Sequence, residues 1–229
     1  MIPRELEREI FELRACNFTP RQIARYLGMR VGDVKAAIAL RGEPAIATLK
    51  TPQELPPVAK CWVNFKCAKH LLDNIGQDEE ISSCLGLIVV ARFQDYHRLL
   101  VCTYLIDYLC LGLKDTMGVR IVDKDRYGYF LHNSYLPFPD GYQEISLEEA
   151  QAIVLGSIYY AARLGFDPHP DFDITRDHLG QWDTIIPLQF GRKGKPLYIN
   201  GPYDNAREII KILEENIGRG NFDYILGIG

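Results

Sequence analysis

One stretch of the sequence constrains what this chain can fold into more than any other: residues 17–40, NFTPRQIARYLGMRVGDVKAAIAL. Thr19 is a good helix N-cap, Pro20 suits a first helical position, and Gly28 suits the turn after a short helix. Apolar residues recur at helical spacing on both sides of that glycine: Ile23, Ala24 and Leu27, then Val31, Val34, Ala37, Ile38 and Leu40. This spacing predicts a helix-turn-helix, in which the first helix braces the second.

The residues before this motif predict a third helix. Residues 3–15 place Leu6, Ile10, Phe11 and Leu13 between charged side chains. Such a helix would close the hydrophobic core that two helices cannot close alone. We therefore expect a three-helix unit, the helix-turn-helix domain, over residues 1–45.

Charge is unevenly distributed along the chain. The net charge is −4, yet residues 1–50 hold nine Lys/Arg against six Asp/Glu, whereas the remainder holds 17 against 24. A basic N-terminal unit on an acidic body is typical of a small DNA-contacting module carried by a domain that need not touch DNA.

The cations around the motif are the candidate DNA-binding residues, because phosphate contacts dominate affinity for duplex DNA. They are Arg21, Arg25, Arg30, Lys35 and Arg41. On the second helix Arg30 and Lys35 are the best base-reading candidates, since that helix has no Asn or Gln. The alternative is that the unit binds protein or packs on the rest of the chain.

Residues 46–58 are predicted to form a proline-rich linker, and residues 59–229 an α+β, or mixed α/β, domain. Within it we predict a β-hairpin from residues 85–93 and 99–109, and a long helix over residues 146–164 that Ser146 and Glu149 begin with a capping box. Residues 166–183 read as a polar loop. Further helices are predicted over residues 61–75 and from a cap at Asp204 to Ile217, and further strands over residues 127–135, 184–190, 196–199 and 222–226.

Four carboxylates are candidates for a two-metal catalytic site: Asp107, Asp115, Glu149 and Asp173. The competing interpretation is that acidic residues at strand ends cap turns, and that Lys114 neutralises its neighbour. The catalytic residues are therefore left unknown.

Two further groups could ligate a metal. His169, Asp171 and His178 crowd into a segment that could also be a turn-rich loop. Cys61, Cys67 and His70 have a spacing unlike common zinc motifs, so buried structural cysteines are the preferred interpretation. No nucleotide-binding or hydrolase motif is present, and we expect neither a metal nor a cofactor.

The N-terminus is charged from the start, and the sequence has no run of about 18 apolar residues. These features predict a cytoplasmic protein without a membrane partner.

Four phrases of the sequence occur together: YLIDYLCLGLKD (104–115), EEAQAIVLGSIYYAARLGFDPHPDF (148–172), FGRKGKPLYINGPYDN (190–205) and GNFDYIL (220–226). They resemble an uncharacterised family of bacterial proteins, some of which carry an N-terminal helix-turn-helix. The resemblance implies that these phrases belong to one domain, and it carries over no catalytic residue.

We therefore expect a DNA-binding regulatory protein, more simply than an enzyme, whose body senses a ligand, binds a partner or forms a homodimer. The alternatives are a metal-dependent nuclease or other nucleic-acid-processing enzyme, and a scaffold whose N-terminal unit binds protein.

Overall fold

An antiparallel sheet of five strands lies at the centre of the computed structural model, which describes residues 6, 7, 9–11, 20–40, 55–73 and 84–227. The strands are β1 (Val58–Asn64), β2 (Leu85–Phe93), β3 (Arg98–Asp107), β4 (Gly112–Asp123) and β5 (Tyr142–Ile145). They are ordered β4-β3-β2-β1-β5 across the sheet. A separate parallel pair is formed by β6 (Leu197–Ile199) and β7 (Asp223–Ile225).

Helices interleave with these strands, so the predicted α+β class is confirmed. They are α1 (Pro20–Tyr26), α2 (Val31–Leu40), α3 (Phe65–Leu71), α4 (Lys124–Tyr135), α5 (Leu147–Leu164), α6 (Phe172–Leu179) and α7 (Ala206–Ile217). Residues 6, 7 and 9–11 are also helical, within the predicted first helix. The rest of that prediction, and residues 46–54 of the predicted linker, lie outside the described residues.

The predicted hairpin is confirmed by β2 and β3, which pair with Val90 opposite Cys102. Successive side chains of β2 are buried on opposite faces, as a sheet covered on both sides requires. Ile88 and Val90 pack into the main core with α5, whereas Val89 and Ala91 pack beneath α4. The sheet is therefore the middle layer between helices.

Helix α5 confirms the strongest local prediction. The Glu149 amide donates to Ser146 Oγ at 3.1 Å, and Glu149 Oε2 accepts from the Ser146 amide at 2.7 Å. Gly165, in a left-handed conformation, ends the helix.

Two element predictions were wrong in the first half of the body. Residues 61–64 belong to strand β1, because Cys61 and Val63 pair between β2 and β5. Of the described part of the predicted helix, only Phe65–Leu71 is helical, and residues 74 and 75 lie outside the described residues. Residues 127–135 lie in helix α4 instead of a strand. Their aromatic content favours a strand, but Leu131 and Tyr135, four residues apart, are the pair that α4 buries against the sheet.

Part of the predicted loop 166–183 is helix α6, and buried polar side chains on neighbouring elements hold it in place. The guanidinium of Arg92, which is 4% exposed, donates to the carbonyls of His178 and Leu179 at 2.8 and 3.3 Å. Tyr104 Oη donates to the Thr175 carbonyl at 2.8 Å. These partners are distant in sequence, which is why local patterns did not reveal α6.

The C-terminal predictions were correct for β6, β7 and α7, and wrong in two details. Residues 184–190 have no regular secondary structure. Asn205 caps α7, whereas Asp204 binds Lys114 Nζ at 2.9 Å and the Gly201 amide at 2.8 Å. Among the helices of the described residues, none combines the length and the apolar character needed to cross a bilayer.

Candidate functional site between the N-terminal helices and the body

Helices α1 and α2 meet at Gly28, whose φ of +64° suits a residue without a side chain. Most of the apolar residues that the sequence placed inside are buried: Ile23, Ala24, Val34, Ala37 and Ile38. Leu27 and Val31 are partly buried, and the side chain of Leu40 lies outside the described residues. On the opposite side of α2, Gly32 and Lys35 are exposed, as is Arg30 just before its first turn. The second helix of the motif therefore presents a polar outer side.

The cations on this outer side differ in their partners. Arg30 Nε lies 2.9 Å from Asp33 Oδ2, and 89% of the Arg30 side chain is exposed. Lys35 makes no ion pair with any described residue. Because Asp33 partly neutralises the charge of Arg30, Lys35 contributes more uncompensated positive charge to this surface.

The other predicted DNA-binding residues lie elsewhere. Arg25 is exposed near the end of α1 and faces a cavity described below. The side chain of Arg21 and the whole of Arg41 lie outside the described residues.

The N-terminal helices pack directly on the body. Tyr26 of α1 meets Tyr159 of α5 edge-on, with ring centroids 5.4 Å apart, and Tyr159 Oη donates to Glu9 Oε1 at 2.7 Å. Burial, reinforced by this hydrogen bond, raises the pKa of Tyr159, so its hydroxyl stays protonated. Ile10 and Ile23 belong to the same buried cluster as the body's apolar residues. Helix α1 is thus fastened to α5.

A cavity of about 480 Å³ lies beside this contact. Helix α1, helix α5 and the irregular segment 182–190 form its walls. Its lining comprises Arg25, Tyr26, Ala152, Gly156, Tyr159, Tyr160, Arg163, Trp182, Ile185, Ile186, Pro187, Leu188, Gln189 and Phe190. Its volume is within the range that accommodates a small organic molecule.

The absence of a side chain at Gly156 shapes one wall. A Cβ there would lie 2.9 Å from the Phe190 ring, so only glycine lets segment 182–190 approach α5 this closely. Phe190 in turn stacks on Tyr160, with ring centroids 5.6 Å apart. The cavity is therefore bounded by a packed aromatic wall.

Within the part of the chain that the structure describes, Arg25 and Arg163 are the charged residues of the lining, and no carboxylate belongs to it. The Arg163 guanidinium carbon lies 6.0 Å from the Tyr159 ring centroid, at the limit of a cation–π contact. The cavity thus joins apolar walls to two positive groups.

Sequence reasoning selected Arg25 but missed the rest of this lining. Tyr159 and Arg163 lie four residues apart on the helix predicted over residues 146–164, which was a signal that an aromatic ring and a cation share one face. No local pattern connected them to segment 182–190.

The four carboxylate candidates have separate local roles. Asp107 is fully buried, and its Oδ1 accepts from the amides of Leu109 and Cys110 at 2.9 Å each. Asp115 accepts from the adjacent Thr116 amide, and Glu149 completes the α5 capping box. Asp173 is exposed and lies 3.7 Å from Arg176.

The candidate metal ligands also have other partners. His178 Nε2 lies 3.1 Å from the Val90 carbonyl, and burial lowers the pKa of His178 to about 4. His169 Nδ1 accepts from the Asp171 amide at 3.3 Å. Within the described parts of the chain, no three His, Cys, Asp or Glu side chains converge where they could hold a metal ion.

The cysteine-rich candidate is a set of core residues. Cys61 and Cys67 are buried free thiols, and burial raises the pKa of Cys61 to about 12. His70 Nε2 instead lies 2.9 Å from the Gly191 carbonyl. These residues pack and hydrogen-bond within the body.

Comparisons of this chain with protein-family models, with curated proteins and with solved structures found no match.

Proposed function

We propose that this protein is a DNA-binding regulator in which α1 and α2 form a helix-turn-helix and α2 is the recognition helix. The observation that carries the proposal is the exposure of Lys35 on α2 and of Arg30 just before it, while the apolar side of the same helix is buried. A recognition helix needs this division, because one side must reach the major groove while the other is braced.

In this mechanism Lys35 contacts DNA phosphate, and Arg30 exchanges its exposed ion pair with Asp33 for a phosphate or a guanine edge. The exchange costs little, since exposed ion pairs contribute at most about 1 kcal/mol. Helix α1 fixes the angle of α2. Because Tyr26 of α1 contacts Tyr159 of the body, a shift of α1 on the body would also move the recognition helix.

The body supplies regulation in this proposal. A cavity lined by both α1 and α5 would let a bound molecule alter how α1 sits on the body. The resemblance to a bacterial family with N-terminal helix-turn-helix units agrees with this arrangement, and membership of that family is part of the proposal.

Two recognition helices on adjacent half-sites would provide the affinity that one small unit lacks, so we propose a homodimer on DNA. The test is sedimentation velocity of the protein with and without duplex. A complex of one chain with one duplex would contradict the dimer.

Duplex binding is tested by fluorescence anisotropy with a pool of labelled random duplexes, at about 50 mM and about 200 mM salt. We expect Lys35→Glu to weaken binding at both concentrations and to reduce the slope of log affinity against log salt by about one. Arg207→Glu is the matched control, because it makes the same charge change on an exposed position of α7.

Equal effects of the two substitutions would show that binding is a general charge effect and would contradict the recognition-helix assignment. No duplex binding at low salt would refute the proposal altogether. Capture of a protein partner that survives high salt would favour the scaffold alternative.

A further inference from the structure

The cavity between α1, α5 and segment 182–190 combines features that select one chemical class of ligand. Its walls include Trp182, Ile185 and Phe190, which favour a flat apolar body over a heavily hydrated one. A polyphosphate or a sugar would leave many of its polar atoms against these walls without partners.

The charges of the lining indicate the polar group. Arg25 and Arg163 contribute two guanidinium groups, and among the described residues no acidic side chain lines the cavity to neutralise them. Among the described residues, neither arginine forms an ion pair. Guanidinium groups bind carboxylates in a planar, two-point geometry, so a carboxylate is the complementary group.

An acidic residue beside the lining, Glu9, is already engaged. Its Oε1 accepts the Tyr159 hydroxyl at 2.7 Å, and that hydroxyl belongs to a residue of the lining. The Glu9 carboxylate thus accepts a hydrogen bond from a residue of the lining, and no ion pair joins it to Arg25 or Arg163 among the described residues.

We propose that this cavity binds an aromatic carboxylate, with its ring between segment 182–190 and α5 and its carboxylate between Arg25 and Arg163. The ligand would touch α1 through Arg25 and the body through Arg163, and so join the two. Its role as an effector rests on the proposed function, whereas binding itself does not.

The test is isothermal titration calorimetry on the full chain without DNA, with 2-naphthoate and its uncharged analogue 2-naphthylmethanol as probes. We expect one naphthoate site per chain, with affinity at least about tenfold above that for the alcohol. Arg25→Gln and Arg163→Gln should each weaken naphthoate binding about tenfold and leave alcohol binding unchanged.

Two further variants make the test specific. Ile186→Trp adds volume inside the cavity and should weaken both probes, whereas Arg207→Gln, on α7, should change neither. Thermal melts establish that each variant is folded, and the wild-type titrations test the proposal even if one variant fails to fold.

Absence of naphthoate binding would overturn this inference, as would equal affinity for acid and alcohol or insensitivity to both arginine substitutions. The outcome is separable from that of the proposed function. Naphthoate binding without duplex binding would support the ligand site and refute the proposed DNA-binding function. Duplex binding without naphthoate binding would refute the ligand site and leave the proposed function in place.

Discussion

Asp107 is a buried carboxyl group whose ionisation opposes folding, and its replacement by asparagine should change how stability depends on pH. The residue is wholly inaccessible at the end of β3. Burial raises the pKa of Asp107 from 3.8 to about 6, against the opposing effects of the Leu109 and Cys110 amides and of the Lys114 charge.

The direction follows from comparing the folded and unfolded states. Below the unfolded pKa both states hold the proton, and the stability that the protonated side chain allows is fully present. As the pH rises towards the folded pKa of about 6, the unfolded state releases the proton first, so stability falls. The two pKa values differ by about two pH units, which corresponds to a loss of about 3 kcal/mol.

Asp107→Asn keeps an Oδ1 acceptor for the two amides and removes the ionisation. Any constant shift in stability that the substitution introduces is the same at every pH. Beyond that shift, the stability of the variant relative to the parent should rise by about 3 kcal/mol between about pH 3 and about pH 7. Urea unfolding at a series of pH values measures this difference, and every other titrating group cancels if both proteins unfold in one step.

Asp115→Asn is the control for loss of one negative charge, because Asp115 is exposed on the adjacent strand. A difference between Asp107→Asn and the parent that does not vary with pH would refute the reasoning. It would mean that the turn after β3 opens to water, or that Asp107 is ionised at no cost.

Three further predictions concern other buried or capping groups. Burial lowers the pKa of His178 to about 4, so the stability that its neutral form contributes is present above about pH 6.5 and is lost as the pH falls towards 4. His178→Gln should therefore reduce the loss of unfolding free energy over this pH range by about 3 kcal/mol, measured by urea titration at each pH. Arg92→Met should lower the free energy of unfolding by at least about 3 kcal/mol in guanidinium titrations, because it leaves buried carbonyls without donors. Ser146→Ala should cost about 1 kcal/mol, measured the same way, and a cost near zero would contradict the cap's role.

The elements that sequence predicted well carry their signals within one turn or one strand. Ser146 and Glu149 mark the start of α5 with hydrogen bonds across three residues. The apolar spacing around Gly28 correctly identified the buried side of α1 and α2. Strands β2 and β3 were recognisable because their residues favour strands and a short polar segment separates them.

The prediction failed where distant residues decide local conformation. Helix α6 has a polar sequence that reads as a loop, yet Arg92, Tyr104 and Gln151 bind its backbone or the residues just after it. Residues 61–64 form a strand because β2 and β5 provide edges on both sides.

The sequence by itself determined the apolar and polar sides of the N-terminal helices, the caps of α5 and the α+β class, because hydrogen bonding and hydrophobic spacing act over a few residues. Only the tertiary structure brought Arg25 and Arg163 to one cavity beneath segment 182–190. The physical reason is that a cavity exists only between packed elements, and its shape depends on contacts such as Gly156 against Phe190 that join residues far apart in the chain.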